Sequence, residues 1–162
     1  MDEMKLKALK KAMEKYGEAL VIEIVKGLKN ADKVATGALA RSVDYELIEA
    51  LDTIAVNILS LDYMDVVDGG RRKGAKAPPI GPIIKWMKVK KIKGRDKRGR
   101  FIKDKSAAFL IARAIGKNGI KPTFVIKKSI NKLKSLQTKL LTDAAVEDMT
   151  KMIQGVFLNK NS

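Results

Sequence analysis

The spacing of apolar residues changes twice along this chain of 162 residues. Apolar side chains first recur every three or four positions as far as Leu28, which predicts an amphipathic helix that ends near Asn30. Between Val43 and Ile58 they alternate with other residues in two adjacent runs, which predicts a hairpin of two strands. The helical spacing then returns. We therefore expect an α+β fold, in which a small antiparallel β-sheet (a hairpin) is packed by N-terminal, central and long C-terminal helices.

Prolines, glycines and capping residues delimit the later helices. Residues Ile83–Ile92, which follow a proline-rich stretch, are predicted to form a short basic helix. The next helix has Asp104 or Ser106 as its candidate N-terminal cap, Phe109 on its inner face and Gly119 as its C-terminal stop. A long final helix follows, with a candidate break at residues 142–143 and more apolar surface towards its end than a monomer of this size buries.

Composition limits the classes of chemistry that the chain can carry. Apolar residues make up 46% of the sequence but aromatic residues only 5%, so we predict a single domain over residues 1–162 with an aliphatic core. Cysteine and histidine are absent, which excludes disulfides, thiolate or imidazole metal sites and Ser-His or Cys-His nucleophiles. The N-terminal stretch lacks an apolar core of signal-peptide length, and no segment approaches a membrane span.

The net charge of +16 is concentrated in the middle third of the chain. Residues 71–103 contain fourteen Lys or Arg and a single acid, whereas the remaining sequence holds 20 basic and 17 acidic residues. This segment predicts an acidic or polyanionic partner, and we expect flexible basic loops at residues 69–79 and 93–104. The candidate residues for contacting DNA or another partner are Arg71, Arg72, Lys73, Lys76, Lys88, Lys90, Lys91, Arg95, Lys97, Arg98 and Arg100.

The glycine-rich run GGRRKGAK raises the question of a phosphate-binding loop. A P-loop requires lysine and then a hydroxyl residue directly after its last glycine, but Ala75 follows Gly74 here. Three acids upstream, Asp62, Asp65 and Asp68, are spaced so that a helix would place them on one face, as a metal-dependent nuclease would require. Capping, solvation or pairing with the adjacent cations is the ordinary role of such acids.

Nucleic-acid binding is the main alternative that composition supports. Clustered cations can neutralise several phosphates and release counterions, which makes binding steeply dependent on salt. The nearby aromatic residues Trp86 and Phe101 could stack on bases, although packing into the core is the more ordinary expectation for both. The sequence contains no helix-turn-helix, zinc or RNP-like signature.

Four separated pieces of the sequence form a recognisable series, namely TGALARSV, the predicted hairpin, YMDVVDGG and ARAIGKNGIKPTFVIKKSI. In this order and spacing they resemble the small neck or tail-completion (head–tail joining) proteins of long-tailed bacteriophages. YMDVVDGG resembles that family's Tyr-x-x-x-Val-Glu-x-Gly signature through Tyr63, Val66 and Gly69, and the resemblance covers about residues 3–140. The positions assigned to the family's structural pattern are Gly37, Leu39, Ser42, Tyr63, Gly69, Gly119, Pro122 and Phe124.

The resemblance implies a non-enzymatic virion protein that forms a ring, six-fold or twelve-fold, between the portal-side connector and the tail tube. The implied partners are neighbouring copies of the chain, other phage connector and tail proteins and, as a further candidate, DNA in the lumen. It implies no cofactor, no small-molecule substrate and no membrane, and it places the protein in the host cytoplasm during assembly and then at the head–tail interface. Residues 69–79 would be an arm that orders on assembly. The alternative function is a freestanding basic DNA-binding protein.

Overall fold

The computed structural model of the chain describes residues 6–32, 37–50 and 53–159. Within these ranges it contains six α-helices and one two-stranded antiparallel sheet, which confirms the α+β prediction. In chain order the elements are α1 (Lys7–Asn30), α2 (Ala38–Ser42), β1 (Asp44–Ala50), β2 (Thr53–Leu59), α3 (Met64–Gly69), α4 (Ile80–Val89), α5 (Asp104–Asn118) and α6 (Val125–Asn159). None of the described helices has both the length and the apolar character that a membrane crossing requires.

Two compact units make up the chain. The first contains Met1–Gly27, Val43–Ser60 and Ile126–Ser162, and the second contains Leu28–Ser42 and Leu61–Val125, in both cases as far as their residues are described. Each unit has its own buried side chains. That residues 1–162 form a single domain stays a prediction.

In the first unit, α1 and α6 lie antiparallel. Lys132 Nζ lies 2.6 Å from Glu23 Oε1, and the carboxylate of Asp148, farther along α6, accepts hydrogen bonds near the start of α1. The apolar face of α1 is buried as its spacing predicts, because one helical face turns inward. Its fully or nearly fully buried residues in this unit are Ala12, Met13, Tyr16, Leu20 and Ile24.

The hairpin of β1 and β2 also belongs to the first unit. Tyr45 pairs with Ile58 and Leu47 with Val56, so the predicted alternating residues share one face of the ribbon. The ring of Tyr45 packs so closely on Gly17 that a Cβ there would overlap it, and this contact seats the hairpin against α1. The predicted connection between the strands includes residues 51 and 52, which lie outside the described residues.

In the second unit, α4 packs against α5 through a cluster of small and aliphatic residues. The buried members are Ile83, Met87, Ala107, Ala108 and Ala112. Phe109 is 58% exposed, so the prediction that it faces inward is wrong. The buried alanines on α5 present little volume towards α4, which is how two helices approach closely without a large side chain between them.

The limits of several helices differ from the sequence predictions. The basic helix is α4, which begins at Ile80 and ends at Val89, so Ile92 lies beyond it. Neither Asp104 nor Ser106 caps α5, because Lys103 occupies the cap position and no side chain bonds there. Residues 142–143 do not interrupt α6. The short helix α2 went unrecognised because five residues are too few to show a helical period.

Candidate functional site

The basic segment of residues 71–103 lies in the second unit and is mostly exposed. Of its fourteen cations, only Arg71 and Lys90 are half-buried. Three members form ion pairs, with N···O distances of 3.0 Å for Lys90–Asp32, 3.4 Å for Lys93–Asp104 and 3.0 Å for Arg100–Asp96. Those without a carboxylate partner in the described part of the chain are Arg71, Arg72, Lys73, Lys76, Lys85, Lys88, Lys91, Arg95, Lys97, Arg98 and Lys103. Most of this charge is therefore left for a partner or for solvent.

Residues 94–102, which we call the basic hairpin, fold back on themselves through a tight turn. Asp96 N donates to Arg100 O at 2.8 Å, Gly99 N donates to Asp96 O at 3.0 Å, and Ile102 N donates to Gly94 O at 3.0 Å. Gly99 has a φ of 78°, a left-handed conformation that costs glycine little and other residues much more. The pattern is that of a three-residue hairpin loop closed by a glycine bulge.

The carboxylate of Asp96 stabilises this turn from inside. Its Oδ1 accepts hydrogen bonds from the backbone N–H of Arg98 at 2.8 Å and of Arg100 at 2.9 Å, and its Oδ2 accepts one from Arg100 Nε at 3.0 Å. The backbone N–H of Arg100, with the Arg100 side chain and the Arg98 N–H, lowers the pKa of Asp96 from its ordinary value. The single acid of the basic segment thus acts as an internal ligand of the turn.

Arg95 and Phe101 face each other across the basic hairpin. The guanidinium carbon of Arg95 lies 4.1 Å from the centroid of the Phe101 ring, and Arg95 Nη1 donates to Gly99 O at 2.8 Å. Phe101 is 66% exposed and Trp86 is 39% exposed, so the expectation that both pack into the core is wrong. Phe101 contacts the cation beside it instead.

The loop after α3 is attached to the segment that follows α5. Arg71 N donates to Ile120 O and Ile120 N to Arg71 O, both at 2.9 Å, and Gly74 N donates to Gly116 O at 2.9 Å. The guanidinium of Arg71 donates to Lys76 O, so this candidate contact residue is engaged with its own loop. Arg72, Lys73 and Lys76 are exposed. Flexibility of residues 69–79 and 93–104 stays a prediction.

Within the second unit, hydrogen bonds involve parts of three of the four phage-like pieces, whereas the fourth piece, the hairpin, belongs to the first unit. Thr123 N and Phe124 N both donate to Asp68 O at 3.1 Å, which joins YMDVVDGG to the segment after α5. Ser42 Oγ donates to Leu39 O at 2.9 Å and accepts from Leu61 N at 3.2 Å, which joins TGALARSV to the chain that leads into α3. Leu39 is buried, whereas Tyr63, Pro122 and Phe124 are exposed.

Of the glycines assigned to the phage-like pattern, Gly119 has an evident structural role and Gly69 has none. Gly119 has a φ of 72°, and a Cβ there would collide with the backbone of Arg71. Gly69 is the last residue of α3 and faces open space. The position that requires glycine is its neighbour Gly70. Its φ is 75°, and an added Cβ would lie 2.5 Å from Ile120 O. The second glycine after a helix was the sequence signal for it.

The last turns of α6, residues 146–157, form what we call the apolar helix end. Asp148 is buried within it, whereas every residue from 149 to 157 is exposed. Its exposed apolar members are Val146, Met149, Met152, Ile153, Val156 and Phe157. A contiguous apolar stripe on one helix is unusual for a surface that remains in water.

Among the described residues, no cluster of acidic side chains suited to a metal ion accompanies these surfaces. In the described part of the chain, no group of three or more acidic residues is arranged to hold a metal ion, and this includes Asp62, Asp65 and Asp68. A groove of about 400 Å³ between α1 and α6 is lined by lysines and carboxylates as well as by alanines and Leu140. No family model, no curated protein and no solved structure matches the chain.

Proposed function

We propose that the protein is a non-enzymatic structural component of a phage virion, a ring subunit of the connection between head and tail. It assembles in the host cytoplasm with copies of itself and with other connector and tail proteins, without a cofactor, a small-molecule substrate or a membrane. The observation that carries this proposal is the apolar helix end. A protein that acts alone has no use for such a surface, whereas a subunit buries it on assembly.

The apolar helix end extends past the helix that α6 packs against. Asp148 accepts hydrogen bonds from Ala8 N and Leu9 N, close to the point where α1 begins at Lys7. Because the two helices are antiparallel, the residues of α6 after Asp148 lie beyond this point. They form about 16 Å of helix at 1.5 Å per residue. The overhang is available to a neighbouring subunit.

The spacing of the apolar residues suits a helical partner. Val146, Met149, Ile153 and Val156 follow each other at intervals of three, four and three, the seam that helices use to pack side by side. Burying one such side chain contributes about 1.5–3 kcal/mol, so a few of them supply a substantial association energy. In a ring the stripe would meet a different face of the next subunit, because a stripe that pairs with its own copy closes as a two-fold dimer.

The biological setting comes from the resemblance to neck and tail-completion proteins. Its pieces are distant in sequence, yet in the second unit the backbone N–H groups of Thr123 and Phe124 donate to Asp68 O, and Leu61 N donates to the Ser42 hydroxyl. Hydrogen bonding between pieces that are far apart in the sequence supports reading them as parts of one framework. The second unit would then carry most of the framework, while the first unit carries the hairpin and the overhang.

A freestanding DNA-binding protein is the second candidate. The observation that favours it is the basic hairpin, whose tip residues Lys97 and Arg98 are exposed and whose two side chains have no partner among the described residues. A protein of this kind would need no apolar surface for neighbours. The two candidates therefore differ in the expected use of the apolar helix end.

Deletion of the gene from the phage genome that encodes it tests the proposal. For a head–tail joining subunit, electron microscopy should show DNA-filled heads and finished tails that fail to join, and the wild-type gene supplied in trans should restore infectious particles. Mass spectrometry of purified virions should find the protein in a fixed ratio to the portal. Joined, infectious particles that lack the protein would refute the proposal and favour the second candidate.

A further inference from the structure

We propose that the basic hairpin, residues 94–102, binds the phosphodiester backbone of double-stranded DNA. The inference goes beyond a structural role in the virion and does not depend on it, because a ring subunit and a free monomer present the same hairpin. It also assigns the DNA contact to the cations of one hairpin rather than to all fourteen cations of the basic segment.

The basic hairpin is closed by hydrogen bonds of its own. Asp96 bonds to two backbone N–H groups and to Arg100 Nε, and the backbone of Asp96 pairs with that of Arg100. At the base, Gly94 lies so close to α5 that a Cβ there would be 2.5 Å from the Cβ of Ala107. A binding element whose conformation is fixed in advance loses less entropy when its ligand binds.

The turn presents its cations outward. Lys97 and Arg98 occupy the two positions between Asp96 and Gly99, both are exposed, and the structure gives their side chains no described partner. Arg100 uses only its Nε on Asp96, which leaves its terminal nitrogens for a ligand. Guanidinium groups bind phosphate oxygens in a two-pronged geometry, and an ammonium group binds them as a point charge.

The surroundings of these cations favour DNA over an acidic protein surface. A protein interface normally has an apolar centre with charges at its rim. In the basic hairpin, Ile102 packs against the core formed by α4 and α5, and the exposed ring of Phe101 lies beside Arg95. The other exposed residues between positions 95 and 100 are mostly cationic, as phosphate contacts require, and the tight turn at residues 96–100 is small enough to approach a DNA groove.

The test is fluorescence anisotropy of a labelled 30-base-pair duplex with the full chain at several salt concentrations. The test variant combines Lys97→Gln with Arg98→Gln. The matched control combines Lys134→Gln with Lys139→Gln, which removes the same charge from exposed positions of α6. The test variant should bind about tenfold or more weakly at 0.1 M salt, and the slope of log affinity against log salt should fall by about two. The control should bind like the wild type.

Three results would overturn the inference. The first is the absence of duplex binding by the wild type at 0.1 M salt. The second is an equal loss in both variants, which would assign binding to overall charge rather than to the hairpin. The third is binding of poly-glutamate, but not of the duplex, in a way that depends on Lys97 and Arg98, which would identify an acidic protein as the partner.

Discussion

The basic hairpin and the apolar helix end are both exposed, but one presents charged side chains and the other presents apolar side chains. The hairpin backbone bonds to itself and to the carboxylate of Asp96, while its cations face water. The apolar helix end has a regular helical backbone, but its side chains from Met149 to Phe157 are exposed. Exposed charge is well solvated without a partner, whereas exposed apolar surface is not.

Binding at the two surfaces should therefore depend differently on salt. Contacts made by exposed cations weaken steeply as salt rises, because ions screen them and compete for the phosphates. Contacts made by apolar side chains depend little on salt, and each buried side chain contributes about 1.5–3 kcal/mol. The hairpin is thus suited to reversible contact with a polyanion, and the helix end to lasting assembly.

The largest expected effect comes from placing a charge in the apolar helix end. Val156→Asp should weaken self-association by about 3 kcal/mol or more, roughly 150-fold, because a carboxylate replaces a buried aliphatic side chain. Sedimentation equilibrium over a range of protein concentrations would measure it. The free energy of unfolding of the monomer should stay almost unchanged, since Val156 is 65% exposed.

Ile22→Asp is the matched control for that experiment. Ile22 is a β-branched residue on a helix of the same unit and is 67% exposed, but it lies outside the apolar helix end. It should leave self-association unchanged. Equal weakening by both substitutions, or a wild type that stays monomeric at every concentration, would show that the helix end does not bind a second copy in solution.

A smaller effect, on the free energy of unfolding, is expected at Asp148, where α6 is hydrogen-bonded to α1. Asp148→Ala should lower the free energy of unfolding by about 1–3 kcal/mol, because it leaves Ala8 N–H and Leu9 N–H without their acceptor. Urea denaturation would measure the change. Glu147→Ala, which removes only an exposed ion pair with Lys151, should cost no more than about 0.5 kcal/mol. Equal losses would mean that the buried carboxylate does not cap α1.

The fixed shape of the basic hairpin can be tested without changing its charge. Gly99→Ala should disfavour the turn by about 1–2 kcal/mol, because φ is 78° and a side chain there is strained. The amide NMR shifts of Arg98 and Arg100 should move, and the affinity for duplex DNA should fall several-fold. Gly81→Ala, in α4 with open space around it, should change neither. Unchanged DNA affinity in Gly99→Ala would show that order in the hairpin is not needed.

The smallest effect concerns pH. Hydrogen bonds in the folded turn lower the pKa of Asp96 below 3.8, so its stabilising contribution is present above pH 3.8 and is lost as the pH falls through the lowered pKa. The amide shifts of Arg98 and Arg100 should therefore titrate with a midpoint below pH 3.8. In Asp96→Asn this titration should vanish. A midpoint above 3.8 in the wild type would contradict the bonding described for the turn.

Local patterns in the sequence were enough to predict the main elements. The end of α1 near Asn30, the hairpin of β1 and β2 and the stop of α5 at Gly119 follow from spacing and from backbone preferences, which act over a few residues. The same spacing predicted an apolar excess at the end of α6, where the structure exposes it. The candidate cations were predicted as a group from the count of charges.

Other features depend on contacts between distant residues. Phe109 was expected inside and Phe101 in the core, but alanines fill the contact of α5 with α4, and Phe101 lies against Arg95. Gly69 was chosen over Gly70, because the sequence does not show which of two adjacent glycines meets the backbone of Ile120. Packing geometry is set by the partner element, which local propensity does not contain.

The α+β class, the basic middle third and the apolar last helix can all be read from the residue order, because period and charge are properties of that order. Which cations lack carboxylate partners among the described residues, and where α6 continues beyond α1, became known from the folded structure. It also decided that Asp96 serves the turn rather than a ligand. Pairing and burial arise when segments meet in space, and a linear pattern carries no information about those distances.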